Sequence, residues 1–339
     1  MKLLKLTDIA KGISEIGFIS TVFFNLVLVY LTAFKTKNIV GAYKNMIIVF
    51  ALFGIPFSGL EIIARPYAHS YNGCLYYFSL SRFPIEYKPI LDMLLSLWAG
   101  LYASLMAYVA VQFLYRYLTL LNFRIATMLF DGWRLVIWLI YSLIFGLLWA
   151  AIVYFCGYPD EYSKEYARNE IWNVYEMDVE TSSGFLIVPY RPSGVRDEFD
   201  IKLATLVFLF GTMGILSIQY AIVIYCATHM HMNMTEKLQH FSIVNQRLQK
   251  QFFKTLLIQI TVPTIIYHLP AVPICTTPFF DFELSLQTGF TYSMFSLYPP
   301  MDSCILMYIV SDYHTELSKL FRSRAPVEPS TTASALRTL

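Results

Sequence analysis

The chain is short of charge. Asp, Glu, Lys and Arg make up 14% of its 339 residues, against 57% for the apolar and aromatic types, and mean hydropathy is +0.53. A water-soluble domain is nearer a quarter charged, so water is not this chain's main solvent. Its 25 basic and 23 acidic residues nearly cancel, leaving +2, which excludes the basic excess of a nucleic-acid-binding protein. Five cysteines with no CxxC or CxxH pattern exclude a disulfide scaffold and a zinc module. There is no Gly-rich phosphate loop, GxSxG or HExxH, so neither an enzyme nor a cofactor is implied. A cleavable leader is missing too. The first apolar stretch follows Lys2, Lys5 and Lys11 but runs on to Phe34 without a small-residue cleavage site, and reads as a retained helix.

Long apolar runs fill the rest. A bilayer core needs about 20 predominantly apolar residues per helix, because each backbone N–H and C=O must be paired internally. Such stretches occur at 13–34, 45–64, 91–114, 135–155, 203–228, 255–275 and 284–310. The expected fold is therefore all-α, a bundle of seven transmembrane helices. The seventh stretch is interrupted by Pro299, Pro300 and Asp302.

Lys and Arg are retained on the cytoplasmic side. With the N-terminus outside and the C-terminus inside, the inner segments gather Lys35, Lys37, Lys44, Arg116, Arg124 and Arg134. Later inner segments add Lys237, Arg247, Lys250, Lys254, Lys319, Arg322, Arg324 and Arg337. The outer segment 156–200 is crowded with acids from Asp160 to Asp200, mixed with Tyr162, Tyr166, Trp172, Tyr175, Phe185 and Tyr190. That mixture suits a lid folded over the bundle. The triplet Asn233-Met-Thr235 then falls inside, where it would not be glycosylated. Residues 1–324 read as one receptor-sized membrane domain. Its last part, 312–324, sets Tyr313, Leu317, Leu320 and Phe321 against Lys319, Arg322 and Arg324, the pattern of a helix on the inner membrane surface. The Pro/Ser/Thr-rich end, 325–339, reads as a disordered tail.

Several short stretches, in order along nearly the whole chain, carry a family resemblance. They are Gly41-Ala-Tyr-Lys44, Arg65-Pro-Tyr-Ala-His69, Phe113-Leu-Tyr-Arg-Tyr117 and Tyr158-Pro159. Leu248-Gln-Lys-Gln-Phe-Phe-Lys254, continuing through Gln259 to Pro263, Pro278-Phe-Phe-Asp281 and Leu297-Tyr-Pro-Pro-Met-Asp302 complete the set. Together they resemble the nematode serpentine chemoreceptors of the Str type, seven-transmembrane G-protein-coupled receptors. Two departures stand out: Asp302-Ser303 where that family commonly has Asp-Pro, and Ser311-Asp-Tyr-His314 without the usual Arg after the aromatic.

The resemblance implies a chemosensory, olfactory receptor of the plasma membrane and sensory cilium. Its partners would be a small molecule, such as a volatile odorant, and a heterotrimeric G protein. Tyr115, Arg116 and Tyr117 would take the place of the acidic-Arg-Tyr triplet that meets the G protein, although here no carboxylate adjoins the arginine. Position alone equally allows Arg116 to be an anchor snorkelling to the headgroups. Arg247, Lys250 and Lys254 recur at intervals of 3 and 4, a cationic stripe suited to an acidic partner, to anionic lipid, or to topology alone. Pro263, Pro270 and Pro273 in the sixth span and Pro299 and Pro300 in the seventh should bend those helices.

Charge inside a bilayer is costly, so each ionisable residue there needs a reason. Glu61 lies one turn before Arg65 and reads as its i, i+4 partner. Asp302 has no basic neighbour and should face the interior, where it needs a polar partner or an ion. Tyr267 and His268, Asp92 and Ser96 on one face of the third span, and Tyr292 are candidate polar groups of a mostly apolar ligand pocket; each also reads as an ordinary packed side chain. Cys74 and Cys156 both fall outside and are the candidate disulfide partners. Two other classes fit a seven-helix chain: a ligand-gated channel of inverted topology, and a transporter. A transporter should show an internal repeat, and none is found.

Overall fold

A computed structural model describes residues 2–36, 38–39, 41–192, 199–239, 241–280, 285–286 and 288–322. The tail 325–339, Lys37, Asp281, Arg324, Arg337 and the expected start of the seventh span at Leu284 lie outside the described residues. Among the described residues, six helical stretches are long and apolar enough to cross a membrane. The first span is α1 (Lys2–Tyr30) with a π turn over Leu31–Lys35; the second is α2 (Ala42–Ala64) and the third α3 (Lys88–Leu121). A short α4 (Phe123–Phe130) leads to α5 (Leu135–Cys156), the fourth span.

A lid helix, α6 (Glu161–Tyr175), precedes the fifth span, α7 (Leu203–Leu238). The sixth span is α8 (Ile243–Pro263), a π turn over Thr264–His268, and α9 (Leu269–Thr276). The seventh is broken into α10 (Gly289–Ser293), a 3-10 turn Met294–Leu297, and α11 (Tyr298–Ile309). Pro299 and Pro300 explain the break: they fall in the first turn of α11, where an N–H is not needed, and cannot continue a helix arriving from before. Directly after it comes α12 (Ser311–Arg322), whose Tyr313 is buried and shares a 2.8 Å hydrogen bond with Thr32 of the first span.

Several helices run past the expected apolar limits. The first begins at Lys2 rather than 13, the third continues to Leu121, the fifth to Leu238, and the sixth starts at Ile243. Hydropathy marks only the stretch that lipid can touch, whereas a helix continues wherever neighbours and solvent satisfy it.

The described residues of the segment 156–200 hold a helix and strands where the sequence suggested a lid loop. α6 opens with a capping box in which Asp160 accepts from Ser163 N–H and Ser163 accepts in return. Beside it lies a four-stranded sheet in the order β3-β2-β1-β6, from β1 (Pro66–Tyr71), β2 (Cys74–Ser79), β3 (Gly184–Ile187) and β6 (Ser285–Leu286). A separate pair, β4 (Tyr190–Pro192) and β5 (Phe199–Ile201), completes the cap. Tyr67, Tyr76, Phe78, Ile171 and Leu186 form a core of its own between sheet and α6. His69 sits 3.1 Å from both Glu170 and the Tyr175 hydroxyl, pinning β1 to α6. Burial pushes its pKa below the ordinary histidine range, with Glu170 opposing.

The Cys74–Cys156 disulfide does not form; both are free thiols. Strand β3 separates them: Leu186 pairs with Tyr76 on one side and donates its N–H to Gly157 O on the other. Burial also pushes the Cys74 thiol up to about 12, leaving it almost no thiolate for exchange. Nor does Glu61 pair with Arg65. Glu61 is buried inside the bundle, while Arg65 ends α2 in the left-handed conformation at φ 44°.

The third span is the pillar, buried along most of its length. Its approach to the fourth span depends on Gly146. A Cβ there would strike the Ser104 hydroxyl and stand 2.5 Å from Gly100 O, whereas Gly12 has open space. Gly146→Val should therefore cost on the order of 1–3 kcal/mol by overpacking, or prevent recovery of folded protein. Gly12→Ala should unfold at the wild-type temperature. Thermal unfolding of both variants in detergent compares them.

Candidate functional site

Polar side chains cluster at three depths along the bundle axis. At the sheet-bearing end, His268 closes the π turn of the sixth span. Pro263 lacks the N–H that an α-helix needs there, and the next turn widens, with Leu269 N–H reaching back to Thr264 O. The imidazole is bridged by the Tyr102 hydroxyl at 2.6 Å from Nε2 and the Tyr220 hydroxyl at 2.7 Å from Nδ1. The proton order follows from Thr264, whose hydroxyl donates to Ile260 O. Tyr220 must then donate to Thr264, 2.6 Å away, and accept from Nδ1–H, which leaves Nε2 to accept from Tyr102. The imidazole thus ties the sixth span to the third and fifth.

An aromatic layer surrounds this knot. Tyr267 stacks on Phe295 at 4.8 Å, Phe295 meets Tyr102 at 4.7 Å, and Tyr292 lies 6.4 Å from Trp98 and 5.7 Å from Tyr77. Of the expected pocket residues, Tyr267, His268 and Tyr292 come together here. Asp92 and Ser96 do not join them. Asp92 faces Ser183 and Gly184 of the cap, and the Ser96 hydroxyl donates to its own helix at Met93 O, 2.8 Å away. Trp98 and Tyr102, on the neighbouring face of α3, take their place. Sequence spacing links 92 to 96 but does not show which face of a buried helix meets the sixth span.

Midway down, Asn25 donates to Ala51 O at 2.7 Å and accepts from the Ser303 hydroxyl at 2.7 Å. Ser303, the departure from the family's usual proline, is thus the tie between first, second and seventh spans. Asp302 beside it is buried, with Gln259 of the sixth span as its polar neighbour.

At the opposite end Arg116 is only 6% exposed, which rules out the snorkelling anchor in this conformation. Its guanidinium carbon lies 3.3 Å from the Tyr43 ring centroid and 4.0 Å from that of Phe252. Nη1 donates to Gln249 Oε1 at 3.2 Å; Nε and Nη2 have no partner. Tyr115 stacks on Tyr43 at 6.0 Å, and Tyr117 meets Tyr225 of the fifth span at 5.7 Å. Arg247, Lys250 and Lys254 are exposed on one side of α8, while Leu248, Phe252 and Phe253 are buried on the other.

Seven spans, a polar seam and an arginine held at one end define a receptor-type bundle of the rhodopsin kind. Squid rhodopsin superposes with a TM-score of 0.59 over 94% of this chain and 86% of its own, at 11% identity, so the fold is shared. The sequence model of the serpentine type 7TM GPCR chemoreceptor Str family matches residues 10–318, and the chain belongs to that family. It is 48% identical to G-protein coupled receptor str-33 of Caenorhabditis elegans over 93% of this chain and 92% of that one. It is 29% identical to serpentine receptor class r-10 of the same nematode over 88% and 86%. The chain is therefore a multi-pass membrane protein of a G-protein-coupled receptor family, and that family is one of receptors, not enzymes.

The cage makes a prediction about stability. Stacking on a desolvated ring is worth about 2 kcal/mol, so Tyr43→Leu, which removes the ring and leaves a smaller apolar side chain, should lower the unfolding temperature by several degrees. Tyr43→Phe should stay within about 1 °C of wild type, because the ring face is what holds the guanidinium. Thermal unfolding in detergent distinguishes them; equal losses would mean that the hydroxyl is the partner.

Proposed function

We propose that this chain is a chemosensory, olfactory receptor of the plasma membrane, placed in the cilium of a chemosensory neuron, that binds a small external molecule and activates a heterotrimeric G protein. The sheet-bearing end faces outward and the Arg116 end faces the cytoplasm. One observation carries the reading: the sixth span is held to the third at both ends, through His268–Tyr102 outside and through Gln249 and Phe252 around Arg116 inside. Between the two holds lies the π turn after Pro263, where the helix can bend.

A ligand reaching Tyr267, His268 and Tyr292 competes for the partners of the imidazole. Only a difference in its affinity for the two states can shift the equilibrium. If it favours the state without the outer tie, the inner half of the sixth span swings away, and Phe252 and Gln249 leave Arg116. The freed guanidinium can then hydrogen-bond the carbonyl-rich C-terminal end of a docking helix, while Arg247, Lys250 and Lys254 meet acidic groups of the G protein. Asp302 beside Gln259 and the restart of the seventh span at Pro299 give the moving helix a second polar contact to exchange. The Asp92 carboxylate ties the third span to the cap over the entrance.

The orientation is tested with epitopes. A tag at Met1 should be stained on intact cells and one at Leu339 only after permeabilisation. A glycosylation site engineered between Tyr162 and Asp200 should be used and Asn233 should not; the reverse pattern would invert the topology.

The signalling role is tested at Arg116. Arg116→Ala should reach the surface and keep ligand binding within several-fold, while G-protein activation in a cyclic-nucleotide or calcium reporter falls to background. Arg116→Lys should recover only part of the signal, because an ammonium cannot direct bonds in a planar fork. Full signalling by the lysine variant at equal surface expression would remove this residue from the coupling machinery.

A further inference from the structure

A cavity of about 480 Å³ opens at the sheet-bearing end, between α1, the end of α2, β1 and the end of α6. It lies on the first and second spans, apart from the His268 knot, and its inner wall includes Ser14, Tyr67 and Ser293. Ser14 donates to Glu61 Oε1 at 2.8 Å, so the Glu61 carboxylate lies directly behind that wall. Glu61 is 1% exposed, and its Oε2 has no hydrogen-bond partner. The Tyr67 hydroxyl on the wall is buried and unpartnered as well, while the Trp98 indole and Ser296 approach the carboxyl group from the bundle side. No basic side chain is paired with Glu61 among the described residues.

A buried carboxyl group with no basic partner is costly to ionise, and an incoming cation offsets that cost through a charge-assisted hydrogen bond. The cavity beside it has the volume of a small-molecule site. We propose that it binds a small organic ammonium compound, whose ammonium enters past Ser14 to take Glu61. An ammonium has three donors and no acceptor; Ser14 Oγ and Tyr67 Oη line the cavity, and Glu61 Oε2 lies behind Ser14. At the mouth, Lys11 and Glu15 pair at 3.8 Å, while Arg65 and Arg82 stand ready for a carboxylate, so an amino acid fits as well as a simple amine.

Occupancy reaches the sixth span through rings. Trp98 beside Glu61 meets Phe295 at 6.0 Å, Phe295 meets Tyr102 at 4.7 Å, and Tyr102 holds His268. This last step rests on the receptor reading above; the binding site itself does not.

The test uses the purified full-length chain in detergent, with butylamine, phenethylamine and γ-aminobutyrate set against butanol, 2-phenylethanol and butyrate. At millimolar concentration at least one amine should raise the unfolding temperature, and its uncharged or amine-less counterpart should not. γ-Aminobutyrate exceeding both butylamine and butyrate would place its carboxylate at Arg65 and Arg82. Glu61→Gln, which keeps size and hydrogen bonding, should weaken amine binding roughly tenfold or more. Ser14→Val should weaken it too, with its unliganded unfolding temperature as the check on folding. The proposal is overturned if no amine shifts the transition, if alcohols and amines shift it alike, or if Glu61→Gln binds as wild type does. Since no G protein is present, amine binding without any reporter response would spare this site and count against the receptor reading. A reporter response to amines that is untouched by Glu61→Gln would do the opposite.

Discussion

A guanidinium buried between two aromatic rings is the constraint on which the inner half of the molecule depends. Arg116 stands on the third span, Tyr43 on the second and Phe252 on the sixth, so a single side chain fixes three helices together. The arrangement is balanced more than it is strong. Two ring faces contribute about 2 kcal/mol each when desolvated, while two unpartnered N–H groups cost about 1–3 kcal/mol each. A conformation in which the two nitrogens find acceptors would recover that cost.

The outer half obeys the same logic with different chemistry. His268 satisfies both ring nitrogens through tyrosines of the third and fifth spans, and the proton order imposed by Thr264 puts a proton on Nδ1. Between the two holds, the sixth span has its one irregular turn. Pro263 creates that turn, and His268 is its last residue, so the bend and the outer tie are one local structure. The first span is joined instead to the seventh by Asn25 and Ser303, and to α12 by Thr32 and Tyr313. These ties sit away from the sixth span and, in the proposed activation, would give it a frame to move against.

The seven spans were legible because hydropathy sums over whole turns of helix, and a few polar residues do not erase it. The β1–β2 hairpin was not. Its strands are buried on both faces, Tyr67 and Ala68 alike, so they lack the alternation by which a half-exposed strand is recognised. At the inner site, the residues that matter were already within the stretches carrying the family resemblance: Tyr43 in Gly41-Ala-Tyr-Lys44, and Gln249 and Phe252 in Leu248-Gln-Lys-Gln-Phe-Phe-Lys254. What the sequence does not contain is their meeting at Arg116, because no spacing rule relates residues on three different helices. Glu61 misled for a related reason. An i, i+4 relation to Arg65 exists only while the helix continues, and α2 ends in a left-handed turn at Arg65 itself.

Replacing a carboxylate by aromatic rings also changes what releases the arginine. An acidic neighbour on the same helix can let go by taking up a proton while the backbone stays where it is. Rings have no such option. Phe252 and Gln249 belong to the sixth span, so the guanidinium gains freedom only when that helix moves, and the helix moves only at the expense of the stacking. Release of Arg116 and displacement of the sixth span are therefore the same event, described at two scales. The absence of an acid before Arg116 in the sequence thus ties this switch to geometry instead of protonation.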